Sequence, residues 1–294
     1  MSRRFYIVDV FAEEKYGGNQ LAVVRDTEGL GDGDMRKIAR EMNFSETTFI
    51  VAETPTDGGY DVRIFTPERE LPFAGHPTLG TAYMIRREMI GRPVQSLALN
   101  LKVGRIEVTF DAPVGGLDRL WMRQVAPSFG EPLAPGPVLE ALGLGLEDWD
   151  DRYPVQEVST GLPFIITPVK DLAAVKRART MRERFAEVVR HTEAKDILLF
   201  CPETYSPSNH LNVRVFAEYE GVPEDPATGS ANGCLAGYLV RHGYFGTAEI
   251  DVRVEQGYEI GRPSLLLLRA KEAGGTIDVR VGGGVIMVAK GELV

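Results

Sequence analysis

Two stretches of this 294-residue chain, AGHPTLGTAYMI (74–85) and PATGSANGCLAGYLV (226–240), contain no Asp, Glu, Lys or Arg. Both read as helices. A helix with no polar face has no side to turn toward water and is buried all round. Each therefore needs a wall of other elements about it. The rest of the chain supplies strands: FYIVDV, QLAVV, TTFIVA, YDVRIF, VGRIEVTF and RLWMRQ in the first part, then PFIITPV, DILLFC, LNVRVF, IDVRVE, SLLLLRA and TIDVRVGGG. These runs are rich in Val, Ile, Phe and Tyr and are bounded by Gly, Pro and Asp. Amphipathic helices are few. Met35, Ile38, Ala39 and Met42 share one helical face, and Met181, Phe185, Val188 and Val189 share another. The combination predicts an α+β chain of two lobes, each a curled, mostly antiparallel sheet or barrel around a central buried helix.

The second half echoes the first. QLAVV at 20 resembles LPFII at 162, TTFIV at 47 resembles DILLF at 196, RIF at 63 matches RVF at 214, and YMIR at 83 resembles YLVR at 238. Each match is weak, but all four keep the same order, which points to internal duplication. The Pro- and Gly-rich stretch APSFGEPLAPGP (126–137) reads as the linker. The expected division is 1–125 for the N-terminal lobe and 126–294 for the C-terminal lobe, with the last strand free to return to the first lobe.

Three stretches carry candidate chemistry. In AGHPT, Pro77 suits the first turn of a helix, where its missing N–H removes nothing. His76 then sits at or near the cap, and Gly75 lets backbone approach a ligand closely. In EDPATGS, Asp225 and the pair Gly229–Ser230 stand at the start of the second charge-free segment. The mouth of a buried helix offers N–H groups and a positive dipole end to an anion. In NFSETTF, Glu46 interrupts a strand-like run, and a carboxyl held among apolar neighbours is suited to proton transfer near neutral pH. Local sequence leaves a plainer alternative open at each place: His76 as a structural cap, Asp-Pro-Ala-Thr-Gly-Ser as turn and cap chemistry, and Glu46 as a solvated residue at an exposed strand start.

Other chemistries fail on residues. Thr228 and Asn232 stand where the glycines of a G-x-S-x-G nucleophile turn would flank Ser230. The four histidines show no metal-ligand spacing, and no phosphate loop or dinucleotide fingerprint occurs. A formal net charge of −9 without a basic stripe argues against nucleic acid and anionic membranes. The N-terminal apolar run is too short for a signal peptide, and two cysteines make no disulfide framework, so a cytoplasmic setting is expected.

Taken together, GGNQLAVV, NFSETTF, FAGHPTLGTA, EDPATGSANG and EQG…GRPS occur in this order over nearly the whole chain. The set resembles the phenazine-biosynthesis PhzF-like isomerase family. That resemblance implies a diaminopimelate epimerase-like fold with the active site between two lobes. It implies that Glu46 is the acid/base carboxylate, with His76 and Asp225 as catalytic partners. It implies that Ser45, Gly75, Gly229 and Ser230 bind a small carboxylic acid substrate, without metal or organic cofactor, in a homodimer. Epimerases of this fold use two cysteines at the helix mouths; this chain has neither, and Cys234 falls about one turn inside the second helix. The expected function is cofactor-independent isomerisation of a small carboxylic acid. The alternatives are an epimerase or eliminase acting on an amino-acid-like acid, and a non-catalytic small-molecule binding protein.

Overall fold

The structure, a computed structural model, describes residues 2–218 and 222–294. The chain divides into two units, Met1–Met122 with Gly282–Val294, and Arg123–Val281.

In the first unit β1 (Arg3–Val10) pairs antiparallel with β2 (Asn19–Val24), and β2 runs parallel to β3 (Thr47–Ile50). The amphipathic helix α1 (Asp32–Met42) connects those two strands and turns Met35 and Ala39 inward. Strand β3 pairs antiparallel with β4 (Tyr60–Phe65), which carries the short β5 (Glu70–Leu71) on the same edge. Then comes α2 (Gly75–Met84), followed by β6 (Ser96–Leu101), parallel to β4, and the hairpin strands β7 (Gly104–Val114) and β8 (Leu117–Arg123).

The second unit repeats this plan. Strand β9 (Ser128–Leu133) leads into α3 (Pro135–Ala141), and β10 (Val155–Ser159) pairs antiparallel with β11 (Pro163–Pro168). Helices α4 (Leu172–Arg177) and α5 (Arg182–Arg190) lead to β12 (Asp196–Cys201), which is parallel to β11. Strand β13 (Leu211–Ala217) is antiparallel to β12 and carries the short β14 (Val222–Asp225). Then come α6 (Gly229–Arg241), β15 (Glu249–Gln256), parallel to β13, and β16 (Ser264–Ala273), antiparallel to β15. The order of parallel and antiparallel pairings from β1 to β7 recurs from β10 to β16. The long β17 (Thr276–Leu293) begins in the second unit and ends in the first, where it pairs antiparallel with β1. Its further pairing with β8 closes the first unit into an eight-stranded barrel.

Both charge-free helices lie where an all-apolar helix must. Every residue of α2 from His76 to Met84 is buried, as are eleven of the thirteen residues of α6. Helix α2 packs on β1 and β2 so closely that a Cβ on Gly80 would lie 2.6 Å from a Leu21 methyl and 2.9 Å from one of Val10. Alanine here gains some helix propensity but overpacks the wall. We expect Gly80→Ala to destabilise the protein by about 1–3 kcal/mol, read from urea denaturation midpoints.

Two features differ from the sequence reading. The stretch 126–137 is not a bare linker, because residues 128–133 form β9 and Pro135 opens α3. Pro132 is tolerated there because β9 makes its antiparallel ladder with β10, and a proline removes least at a sheet edge. Glu46 does not interrupt a strand; β3 starts at Thr47, one residue later.

Candidate active site

In the first unit the site is assembled around the N-terminus of α2. Asn43 ends α1 in the left-handed conformation (φ 54°), a geometry asparagine adopts readily, and the chain then turns through Ser45 and Glu46 into β3. Thr47 pairs with Ala22 of β2. The Thr81 hydroxyl on α2 donates to the Thr48 hydroxyl at 2.8 Å, so β3 and α2 are tied through buried oxygens. This fixes Glu46 beside the helix mouth with its side chain only 17% exposed, which is not the solvated strand start that local sequence allowed.

The helix begins at Gly75 with Ala74 as its N-cap, so His76 lies inside the first turn and does not cap it. Its side chain is 7% exposed, and Nε2 lies 3.5 Å from Glu46 Oε2. Burial pushes the imidazole down to about 3, only partly opposed by a hydrogen bond to the Gln20 backbone. The ring is therefore neutral at working pH, and its contact with Glu46 is not an ion pair. Bonded to Gln20 through one nitrogen, it presents Nε2, which makes no hydrogen bond of its own, toward the carboxyl.

A histidine that is neutral when folded and near 6.5 when unfolded makes the unfolded state bind more protons between about pH 3 and 6.5. Its effect is absent above 6.5 and destabilises progressively as pH falls below that value, by at most about 1.4 kcal/mol per pH unit. We expect His76→Gln to flatten the acid limb of a stability–pH curve. In an NMR titration, the ring of His76 should stay neutral between pH 5 and 8.

In the second unit Asp225 ends β14 and Thr228 is the N-cap of α6. The Thr228 hydroxyl does not cap the helix; it donates to Asp225 Oδ2 at 2.5 Å. Gly229 is buried and Ser230 half-buried in the first turn. Neither α2 nor α6 carries an acidic residue in its own first turn. The residue before Asp225 is held in an ion pair: Arg214 binds Glu224 through two hydrogen bonds of 2.8 and 2.6 Å, and donates to the Val175 and Ala178 carbonyls. The first unit repeats this clamp as Arg63–Glu70 (2.8 and 2.7 Å) on β4 and β5. In both units the arginine also lies over the phenylalanine two residues on, at 5.0 Å for Phe65 and 4.8 Å for Phe216.

The EQG stretch, Glu255–Gly257, does three separate things. Glu255 accepts from the backbone N–H groups of Tyr205 and Ser206 (2.7 and 2.8 Å) and from Asn209 (2.7 Å), closing that loop. Gln256 binds the Asp225–Thr228 turn. Gly257, at φ 78°, lets the backbone pass where a Cβ would stand 2.6 Å from the Pro226 carbonyl oxygen. Long-range roles of this kind carry no local signal.

Both thiols lie outside this machinery. Cys234 is fully buried on α6 against Thr160 and the Leu162 carbonyl, and burial pushes its thiol up to about 11. Cys201 is pushed up to about 12 for the same reason. Among the described residues no three His, Cys, Asp or Glu side chains are grouped to hold a metal ion. No helix of the described residues is long and apolar enough to cross a membrane.

The fold, two copies of a strand-wrapped helix, is the diaminopimelate epimerase-like fold. A hydroxyproline epimerase from Agrobacterium vitis shares it over 99% of this chain and 91% of its own (TM-score 0.65) at only 11% identity, a likeness of fold alone. The PhzF family protein of Bacillus anthracis is far nearer, with a TM-score of 0.92, 28% identity and coverage of 100% and 99% of the two chains. Trans-2,3-dihydro-3-hydroxyanthranilate isomerase of Pseudomonas aeruginosa is 33% identical over 289 residues, 98% of each chain. Residues 8–291 match the family described as phenazine biosynthesis-like protein. The chain belongs to this PhzC-PhzF family and is an isomerase acting on a small molecule.

Proposed function

We propose that the enzyme moves a proton between two carbons of a small carboxylic acid, with Glu46 as the carrier. The observation that carries this reading is the pair at the mouth of α2, where the Glu46 carboxyl lies 3.5 Å from the Nε2 of a neutral His76. Glu46 removes a proton from one carbon, and the electron pair left behind delocalises into the substrate. The carboxyl, its proton exchanging with solvent, then protonates a second carbon on that face, so no oxidant or reductant is consumed. His76 accepts a hydrogen bond from a substrate N–H or O–H, and Asp225 holds a second substituent. Ser45 and the mouths at Gly75 and Gly229–Ser230 bind the carboxylate, on the proposal that both half-sites take one substrate in a cleft between the lobes.

The relative in Pseudomonas aeruginosa names the first compound to try, trans-2,3-dihydro-3-hydroxyanthranilate, whose carboxylate, amino and hydroxyl groups match these three kinds of contact. On this reading the enzyme is a cytoplasmic homodimer that needs no cofactor, and a chelator leaves its rate unchanged. Two-thiol epimerisation is disfavoured by the buried, raised thiol of Cys234. The test is a panel of cyclic and acyclic carboxylic acids, led by this compound, incubated in heavy water. Enzyme-dependent deuterium uptake with a shift of the double bond supports the reading. Binding without exchange across the panel would reduce the protein to a receptor.

A further inference from the structure

We propose that Gln256 is a positioning residue that sets the direction of the hydrogen bond received by Asp225; this rests on the role given to Asp225 above. Gln256 is fully buried at the end of β15. Its Nε2 donates to the Asp225 carbonyl (2.8 Å) and to Thr228 Oγ1 (3.1 Å). Its Oε1 accepts from the Thr228 backbone N–H (3.2 Å) and from Asn232 Nδ2 (2.9 Å). A glutamine amide has two protons and two lone pairs, and all four are used here. A carbonyl can only accept and a backbone N–H can only donate, so the orientation of the amide is unambiguous.

The consequence reaches Asp225 through Thr228. A hydroxyl has one proton. Because Gln256 donates to Thr228 Oγ1, that proton is directed onto Asp225 Oδ2, 2.5 Å away. Asp225 Oδ2 is thereby held as an acceptor, its carboxylate fixed in one orientation at the mouth of α6. Only a side-chain amide offers this pattern at neutral pH. Glutamate lacks the donors, and an aliphatic residue lacks everything.

The duplication supplies a control. Strand β15 lies parallel to β13 with Asn212 opposite Glu255, and β6 lies parallel to β4 with Asp61 opposite Asn100. Each unit joins that pair by an amide–carboxylate contact, Asn212 to Glu255 at 3.4 Å and Asn100 to Asp61 at 2.8 Å, with the partners exchanged. The next residue is Gln256 in the second unit and buried Leu101 in the first. At the matching strand position the first unit thus carries a plain aliphatic side chain. The amide occurs in the unit whose helix mouth carries an aspartate.

The test uses Gln256→Leu and Gln256→Glu in the full chain, with trans-2,3-dihydro-3-hydroxyanthranilate as the probe. Gln256→Leu should fold and lose about tenfold to a hundredfold in kcat/KM at every pH, the scale expected when a contacting group is misplaced by about 1 Å. Gln256→Glu should be similarly impaired at pH 8 and recover as the pH is lowered toward 5, because a protonated carboxyl regains one donor. The native enzyme should show no such recovery. A merely structural role would leave the pH profile of Gln256→Glu parallel to the native one, and that result overturns the proposal. Should Gln256→Leu fail to fold, the Gln256→Glu profile decides. Should the native enzyme not turn over the probe, the functional reading fails for this substrate. Crystal structures of the variants then decide the positioning role: loss of the Thr228–Asp225 contact supports it, and an unmoved Asp225 in both overturns it.

Discussion

Glu46→Gln should lose about a hundredfold to ten-thousandfold in turnover while folding and binding ligand nearly as the native protein does. The amide has the size and shape of the carboxyl and sits in the same restricted space, so the contact with His76 Nε2, 3.5 Å in the native protein, can persist. What it lacks is the ability to take up and release a proton. The loss should therefore appear in kcat with little change in KM. Asp225→Asn should give the opposite split, a weaker effect on proton exchange and a larger one on KM, because the Thr228 hydroxyl already commits Oδ2 to accepting a bond. Steady-state kinetics of the two variants on the first substrate to show deuterium uptake checks both. Equal effects on kcat and KM in both would mean that the two carboxyls do the same job.

Arg214→Ala should be among the most destabilising single changes away from the reacting groups, by about 3–5 kcal/mol. Both members of the Arg214–Glu224 pair are only 9% exposed. Truncation leaves a buried carboxylate without its cation and takes the donor from the Val175 and Ala178 carbonyls. Replacing both partners by apolar residues, Arg214→Met with Glu224→Leu, should recover much of the loss, because no charge is then left buried. Arg63→Ala should cost less, since Arg63 is 27% exposed and water can reach the partners it leaves. Urea denaturation of the three variants gives the ranking. Because Glu224 directly precedes Asp225, Arg214→Ala should also raise KM at temperatures where it remains folded.

The elements legible in the sequence were those whose signal is local. The absence of charge over 74–85 and 226–240 marked α2 and α6, because full burial excludes charged residues on every face. The matched runs QLAVV/LPFII, TTFIV/DILLF and RIF/RVF fall on β2/β11, β3/β12 and β4/β13, so duplication could be read from strand order alone. Features that depend on distant partners were not legible. The proline-containing strand β9 is stabilised by β10, more than twenty residues on in the chain, and a proline-rich stretch with no visible partner reads as a linker. Gln256 lies outside the Asp-Pro-Ala-Thr-Gly-Ser stretch that it supports, and nothing in its neighbours signals four simultaneous hydrogen bonds. The tautomer-setting bond between His76 and Gln20 is invisible for the same reason.

The most direct test of the central claim is a single-turnover measurement of proton movement. Native enzyme and Glu46→Gln are each mixed in excess with trans-2,3-dihydro-3-hydroxyanthranilate, or with the first panel compound to show exchange, in heavy water. Product and deuterium position are read by NMR and mass spectrometry after rapid quenching. The account predicts that native enzyme isomerises the compound and places deuterium at one carbon, whereas Glu46→Gln binds it and does neither on that timescale. Exchange by Glu46→Gln at the native rate would contradict the account and make Glu46 a structural residue.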